Sequence, residues 1–191
     1  PCPIFRGGSY PAQSPDEDNP SATSLRGQLL ENRDISPYLP ADCVDLFRNA
    51  PLHSLTAGER AVLGKLRAMS DEEFATLPGG SEGLWRKLMH NARRFANLED
   101  VITATKSKRY TRTRLDRMVM CAFLGITAED LTMEIPYVRV LALNDRGRSV
   151  LKRMKQHTVC INPGESFDHP YHVLEKRCGD LYGLFCTGIP E

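Results

Sequence analysis

Apolar residues recur at helical spacing along most of the chain between Ser21 and Gly125, and this period predicts a run of short helices. Leu25, Leu29 and Leu30 form a first stripe behind two hydroxyl caps, Ser21 and Thr23. Pro37 and Pro40 break the segment 34–51, and a short helix over Ala41–Arg48 follows. Ala61, Val62, Leu63 and Leu66 mark the buried face of the next helix, with a cap expected at Thr56 and Glu59 completing a capping box. Ser70 and Glu73 make a second box, and its helix stops before Pro78-Gly-Gly80. In Ser81–Phe95, Leu84, Trp85, Leu88, Ala92 and Phe95 share one face while Arg86, Lys87, Arg93 and Arg94 share the other. Asn97 caps a helix that runs into a basic stretch, and the apolar helix beyond it ends at Gly125, before a turn capped by Thr127.

From Pro136 the pattern changes. Tyr137–Asn144 is rich in β-branched and apolar residues and predicts a buried strand; 145–147 is a turn, Arg148–Gln156 a helix and Thr158–Asn162 a second strand. Strand, helix, strand with short links predicts a small parallel βαβ unit. The fold class expected is therefore mainly α, a helical domain with a small βαβ unit near the C-terminus.

Composition adds limits. With 191 residues, 41% of them apolar, the chain can bury one real core and has room for a second small domain. No apolar run nears the roughly 18–20 residues of a membrane span, and no signal-peptide pattern opens the chain, so no membrane partner is expected. Residues 1–20, with five prolines and the acidic Asp16-Glu-Asp18, read as an irregular segment. The first residue is proline, and the expectation is a piece of a longer protein. Six scattered cysteines without a CxxC pair suggest reduced thiols and a cytoplasmic location. His169, His172, Cys178 and Cys186 lack the tight spacing of a structural zinc site, and no metal is expected on them.

Charge supplies the candidate chemistry. Lys106, Lys108, Arg109, Arg112, Arg114 and Arg117 face only Asp116 within one stretch, a local balance of +5 in a chain of +1. The stretch leads into the first turn of the helix over 115–124, where cations oppose the helix dipole. A bound phosphate would relieve that conflict and use the free N–H groups of the turn. The stretch is thus a candidate nucleic-acid backbone site, with Arg109, Arg112 and Arg114 as phosphate forks and Tyr110 as a stacking platform for an exposed base. Replacing Arg112 and Arg114 together by alanine is expected to weaken RNA binding without disturbing the fold. A solvated basic face is the bland alternative. Near the N-terminus, Ser21, Thr23 and Arg26 are the weaker candidates for holding a phosphate.

Four strings, taken together and in this order, resemble the bacterial tRNA(Met) cytidine acetate ligases: Ser21-Ala-Thr-Ser-Leu-Arg26, Glu82-Gly-Leu84, Lys106-Ser-Lys-Arg-Tyr-Thr-Arg-Thr-Arg114 and Pro136-Tyr-Val-Arg-Val-Leu-Ala-Leu-Asn-Asp-Arg-Gly147. The resemblance implies a HIGH-type nucleotidyltransferase that uses ATP, with Mg2+, to activate acetate as acetyl-adenylate. The acetyl group would then go to N4 of the wobble cytidine of elongator tRNA(Met). It further implies that Ser21, Thr23 and Arg26 serve the ATP phosphates, with Arg6 as a further ATP ligand, and that the helical part holds tRNA through Lys106, Lys108, Arg109, Tyr110, Arg112, Arg114 and Arg117. On this reading residues 1–33 are the tail end of an α/β nucleotidyltransferase domain, 34–135 a helical tRNA-binding domain and 136–191 a small α/β part. The chain would be a C-terminal portion, inactive alone because no HxGH string occurs in it and none of its residues is catalytic. Where the family has a Tyr-His-Asp run, this chain has Gly8-Ser-Tyr-Pro-Ala12. Two other functions fit the same residues: a protein-interaction module for an acidic partner, or a scaffold in an adenylyltransferase acting on a small metabolite. Oligomeric state is left open.

Overall fold

A computed structural model describes residues 20–162 and 168–186. Arg6 therefore lies outside the described residues. The described chain forms two compact units.

The first unit runs to Ala57 and takes in Phe185 and Cys186. It contains α1 (Ala22–Leu30), a 3-10 turn over Ser36–Tyr38 and α2 (Ala41–Asn49). Ser21 caps α1, its hydroxyl accepting from Ser24 N at 3.1 Å. The chain after α2 pairs with the returning end: Ser54 N donates to Phe185 O at 2.8 Å, beside a bridge between His53 and Cys186.

The second unit, Gly58–Leu184, is a helical assembly. It holds most of α3 (Leu55–Ala68), then α4 (Asp71–Ala75), α5 (Leu84–Arg94), α6 (Leu98–Thr105), α7 (Arg112–Leu124), β1 (Val138–Arg139), α8 (Asp145–Leu151), β2 (Val159–Cys160) and α9 (Pro170–Tyr182). Its core is made by the helical stripes: Val62 and Leu66 of α3, Phe74 of α4, Leu84 and Leu88 of α5, Val101 and Ile102 of α6, and Leu115 and Met118 of α7 are almost fully buried. Such side chains each contribute about 1.5–3 kcal/mol on leaving water.

The caps show how local chemistry sets the helix ends. Ser70 and Glu73 form their reciprocal box at the start of α4. Asn97 Oδ1 accepts from Asp100 N at 2.8 Å and caps α6. Gly125, at φ +67, closes α7, with Ile126 N donating back to Cys121 O at 2.8 Å. The box expected at Thr56 and Glu59 does not form. Ser54 Oγ accepts from Ala57 N, and Glu59 Oε1 reaches across to accept from Leu98 N at 2.8 Å, satisfying an orphan donor of α6 instead.

The expected fold class needs correction. β1 and β2 pair in parallel in the register Val138 with Val159 and Arg139 with Cys160, but each strand is two residues long. Leu141, placed in the expected strand, is 90% exposed. The sheet lies in the same unit as α4 to α9, so a helical domain with a separate βαβ layer, following the tail of an α/β domain, is not how the molecule is built. The physical reason is that β-branched composition reports a preference, whereas ladder length is set by the partner strand. Here Val138 N and Val140 N donate to Thr158 O and Cys160 O across the short ladder.

Candidate nucleic-acid interface

The basic stretch begins where α6 is locked to α5. Asn91 Nδ2 donates to the hydroxyl of Thr105 at 3.0 Å, and that hydroxyl donates to Val101 O at 2.6 Å; both side chains are buried. Lys87 Nζ, from the outer face of α5, donates to Thr105 O at 3.0 Å and occupies the free carbonyl end of α6. Residues 106–111 then turn tightly, with Tyr110 N donating to Ser107 O at 3.2 Å, and α7 starts at Arg112.

The cations of this loop fall into two groups. Arg109, Arg112 and Arg114 are engaged. Arg109 Nη2 donates to Glu82 Oε1 at 2.6 Å, and Tyr110 Oη donates to the second oxygen of that carboxylate at 3.1 Å. Arg112 grips both oxygens of Glu99 and sits 3.8 Å from Asp116. The Arg112 guanidinium holds the Glu99 carboxyl below its ordinary range, while burial pushes Asp116 up against the same cation. Arg114 donates twice to Gly79 O and once to Ser81 Oγ, and its guanidinium lies 5.1 Å from the centre of the Tyr110 ring. By contrast, the exposed Lys106 and Lys108 make no side-chain ion pair among the described residues, and Arg117 bonds only to Thr113 O of its own helix, at 3.4 Å.

The N-terminus of α7 has the anion-friendly features expected of it. Thr111 is the cap residue but its side chain makes no capping bond, and no acid stands in the first turn. The N–H groups of Arg112 and Thr113 have no partner among the described residues. Six cations and three acids (Asp116, Glu82, Glu99) thus meet here, a balance of +3 rather than the +5 counted along the sequence. Glu82 and Glu99 were not legible as partners because they lie 27 and 13 residues from the arginines they hold.

The other candidates lie at α1, in the first unit. The hydroxyl of Ser21 is committed to its cap and to Ser24, whereas Thr23 and Arg26 are exposed one turn apart near the start of the helix. This arrangement can present two backbone donors, a hydroxyl and a guanidinium to one phosphate.

A third cluster was missed by sequence reasoning. Arg139 on β1 donates two bonds of 2.8 Å to Glu175 on α9, which also accepts from the Tyr137 hydroxyl. Tyr137 is 5% exposed and meets Tyr171 edge-on at 5.8 Å. The Arg139 guanidinium, and then the Tyr137 hydroxyl, hold the Glu175 carboxyl below its ordinary value, and burial pushes the Tyr137 phenol up. The network ties the sheet to α9 and engages both oxygens of Glu175. His169 caps α9, its Nδ1 accepting from Tyr171 N at 3.1 Å. Among the described residues no three His, Cys, Asp or Glu side chains form a metal-binding group, and no helix is long and apolar enough to cross a membrane.

Comparison with known proteins places these features in a family. The model of the HIGH Nucleotidyl Transferase family matches residues 1–185. A tRNA(Met) cytidine acetate ligase of Listeria monocytogenes serovar 1/2a is 30% identical over 159 residues, which cover 81% of this chain and 40% of the relative. The enzyme of the same name from Bacillus cereus strain Q1 is 27% identical over 183 residues, covering 87% of this chain and 47% of its own length. The chain thus spans about half the length of the curated relatives it matches. Among solved structures, Thermotoga maritima TmcAL without ligand superimposes with a TM-score of 0.80 at 23% identity, over 96% of this chain and 50% of that one. The same protein bound with alpha-thio ATP gives 0.73 at 22% identity, over 88% and 48%. At those identities the likeness establishes the fold. It also completes the correction of fold class, since one family model spans residues 1–185 and one solved fold covers 96% of the chain, rather than stopping at a nucleotidyltransferase tail before a separate helical piece. The chain belongs to the HIGH nucleotidyl transferase family.

Proposed function

We propose that this chain is the tRNA-holding portion of an ATP-dependent, cytoplasmic ligase that acetylates N4 of the wobble cytidine of elongator tRNA(Met) through acetyl-adenylate. The names of the relatives support the reaction class. The observation that carries the tRNA reading is the loop before α7, where Lys106 and Lys108 stand exposed beside unpartnered helix N–H groups and a half-buried Tyr110. Phosphates of the anticodon arm would take the lysines, Arg117 and the start of α7, with Arg109, Arg112 and Arg114 shaping the loop. Tyr110 offers an aromatic edge for a splayed base.

On the same reading Thr23 and Arg26, with Ser21 and Arg6, lend donors to the triphosphate of ATP and its Mg2+, and acetate is the acyl substrate. Electrostatic stabilisation of the charge developing at the α-phosphate is what such groups contribute. Residues 1–33 would serve the nucleotide and 34–135 the tRNA, with 136–191 a small C-terminal part. On this reading the residues named here hold tRNA and ATP, and none of them is assigned a catalytic role; the family model starts at residue 1, which does not support reading the chain as a C-terminal portion.

The test uses the two lysines, because Arg112 and Arg114 hold structural partners and their removal would confound binding with folding. Lys106→Ala with Lys108→Ala should weaken binding of an elongator tRNA(Met) transcript by roughly tenfold at low salt, as expected when two phosphate contacts are lost. The melting temperature should hold. Unaltered tRNA affinity in that double variant would sink the assignment.

A further inference from the structure

We propose that Glu82 is an internal counter-anion that holds Arg109 and Tyr110 in the unbound protein, so that a nucleic-acid phosphate must displace a carboxylate to reach them. This specificity role rests on the tRNA reading above. Three observations carry it. First, both oxygens of Glu82 are engaged by the two neighbouring loop residues, Arg109 at 2.6 Å and Tyr110 at 3.1 Å. A guanidinium fork and a hydroxyl around two anionic oxygens is also the arrangement a phosphate would accept.

Second, Glu82 occupies a backbone position that disfavours it. Its φ is +59, within a turn where Gly79 and Gly83 have φ +79 and +80. Side chains other than Gly, Asn and Asp are uncommon there, and glycine would fit without strain. The side chain is exposed rather than packed, so burial does not account for a glutamate at this point. What the side chain does is contact the basic loop.

Third, the contact is displaceable while its frame is not. The Arg109 and Glu82 side chains are 69% and 49% exposed, and ion pairs open to water contribute little and are screened by salt. The turn itself is fastened independently by the three bonds from Arg114 to Gly79 O and Ser81 Oγ. Opening the Glu82 pairs would leave the turn and loop in place and free one guanidinium and one phenol. The consequence is selectivity. A ligand that merely supplies negative charge gains little by exchanging one anion for another at Arg109, whereas one that also fills the rest of the loop gains the full set of contacts.

The test measures affinity of the full chain for an elongator tRNA(Met) transcript and for a single-stranded oligouridylate, across a salt series, in four proteins. These are wild type, Glu82→Gln, Glu82→Gly and the control Glu134→Gln, an exposed acid without an ion pair among the described residues. Glycine at φ +59 keeps the turn unstrained, which guards against a folding artefact. Both Glu82 variants should bind oligouridylate at least about threefold tighter than wild type, with a salt slope steeper by about 0.7, the increment for one newly available cation on a single strand. Their preference for the tRNA should narrow, and Glu134→Gln should change neither. Weaker binding to both RNAs would show that Glu82 positions rather than competes. A change equal to that of Glu134→Gln would reduce the effect to net charge. Either result overturns the proposal while leaving the tRNA reading standing. Absence of salt-dependent RNA binding in all four proteins would overturn both.

Discussion

Replacing Thr105 by valine isolates a buried side-chain hydrogen bond that joins α5 to α6. Thr105 is fully buried and Asn91 is 6% exposed, and the Asn91 amide donates to the Thr105 hydroxyl at 3.0 Å. Valine keeps the β-branched shape and nearly the same helix propensity, so the hydroxyl is the only thing removed. The bond from that hydroxyl to Val101 O matters less, because the carbonyl belongs to the ladder of α6. The cost falls on Asn91, whose amide would stay buried without its acceptor. A buried unsatisfied donor costs about 1–3 kcal/mol, and 2 kcal/mol is about the middle of that range. At about 2–4 °C per kcal/mol for a chain of this size, the midpoint should fall by roughly 4–8 °C. The double variant Asn91→Leu with Thr105→Val removes both polar ends, and should recover half or more of the loss, since replacing both partners is close to neutral. Circular-dichroism melts of wild type, the two single variants and the double variant measure it. A Thr105→Val midpoint indistinguishable from wild type would refute the reasoning, and so would a double variant whose loss equals the sum of the singles.

Two further outcomes follow from particular contacts. The folded Glu175 carboxyl is held below its ordinary 4.5 by Arg139 and then Tyr137, so its stabilisation is present above that value and lost as pH falls through the folded one. Melts of wild type and Glu175→Gln should therefore differ at pH 7 and draw together as the pH falls below 4.5; a gap that stays constant would contradict the assignment. Gly125→Ala places a side chain at φ +67, where a non-glycine residue costs about 1 kcal/mol, and its Cβ would stand 3.4 Å from the Arg177 guanidinium. A fall of roughly 2–4 °C is expected, and no fall would mean that the end of α7 re-forms in another cap.

What the sequence made legible was whatever depends on near neighbours. The stripes of α3, α5 and α7 are repeats of three and four residues, and their burial follows from period alone. The Ser70 and Glu73 box spans three residues and forms. Glu59 had the same spacing from Thr56, yet its carboxylate serves Leu98 N, 39 residues away, because α6 arrives with an unsatisfied donor. The buried Asn91 escaped notice for a related reason, since its partner Thr105 lies on the next helix and asparagine on a helix face reads as solvated. At the candidate site, the cations and Asp116 could be counted from the chain, but the other two anions could not. Nothing local pairs Glu82 with Arg109 or Glu99 with Arg112.

That difference changes what the basic stretch is. Counted along the chain it is a strip of positive charge; in space its arginines and its lysines do different work. A guanidinium is a rigid fork suited to two acceptors at once, and here each of Arg109, Arg112 and Arg114 is spent on an acid or a carbonyl that shapes the loop. An ammonium is a mobile point charge that loses little by remaining in water, and Lys106 and Lys108 remain there. An incoming phosphate therefore meets the lysines first, at little cost, and reaches Arg109 only by exchange with Glu82. The two steps carry different salt dependence, because neutralising a free lysine releases counterions from the nucleic acid, whereas swapping one anion for another at an arginine leaves the protein's own charge pairing unchanged in number. Binding with a salt slope near that of two or three contacts, rather than six, is what this arrangement dictates for the wild-type loop.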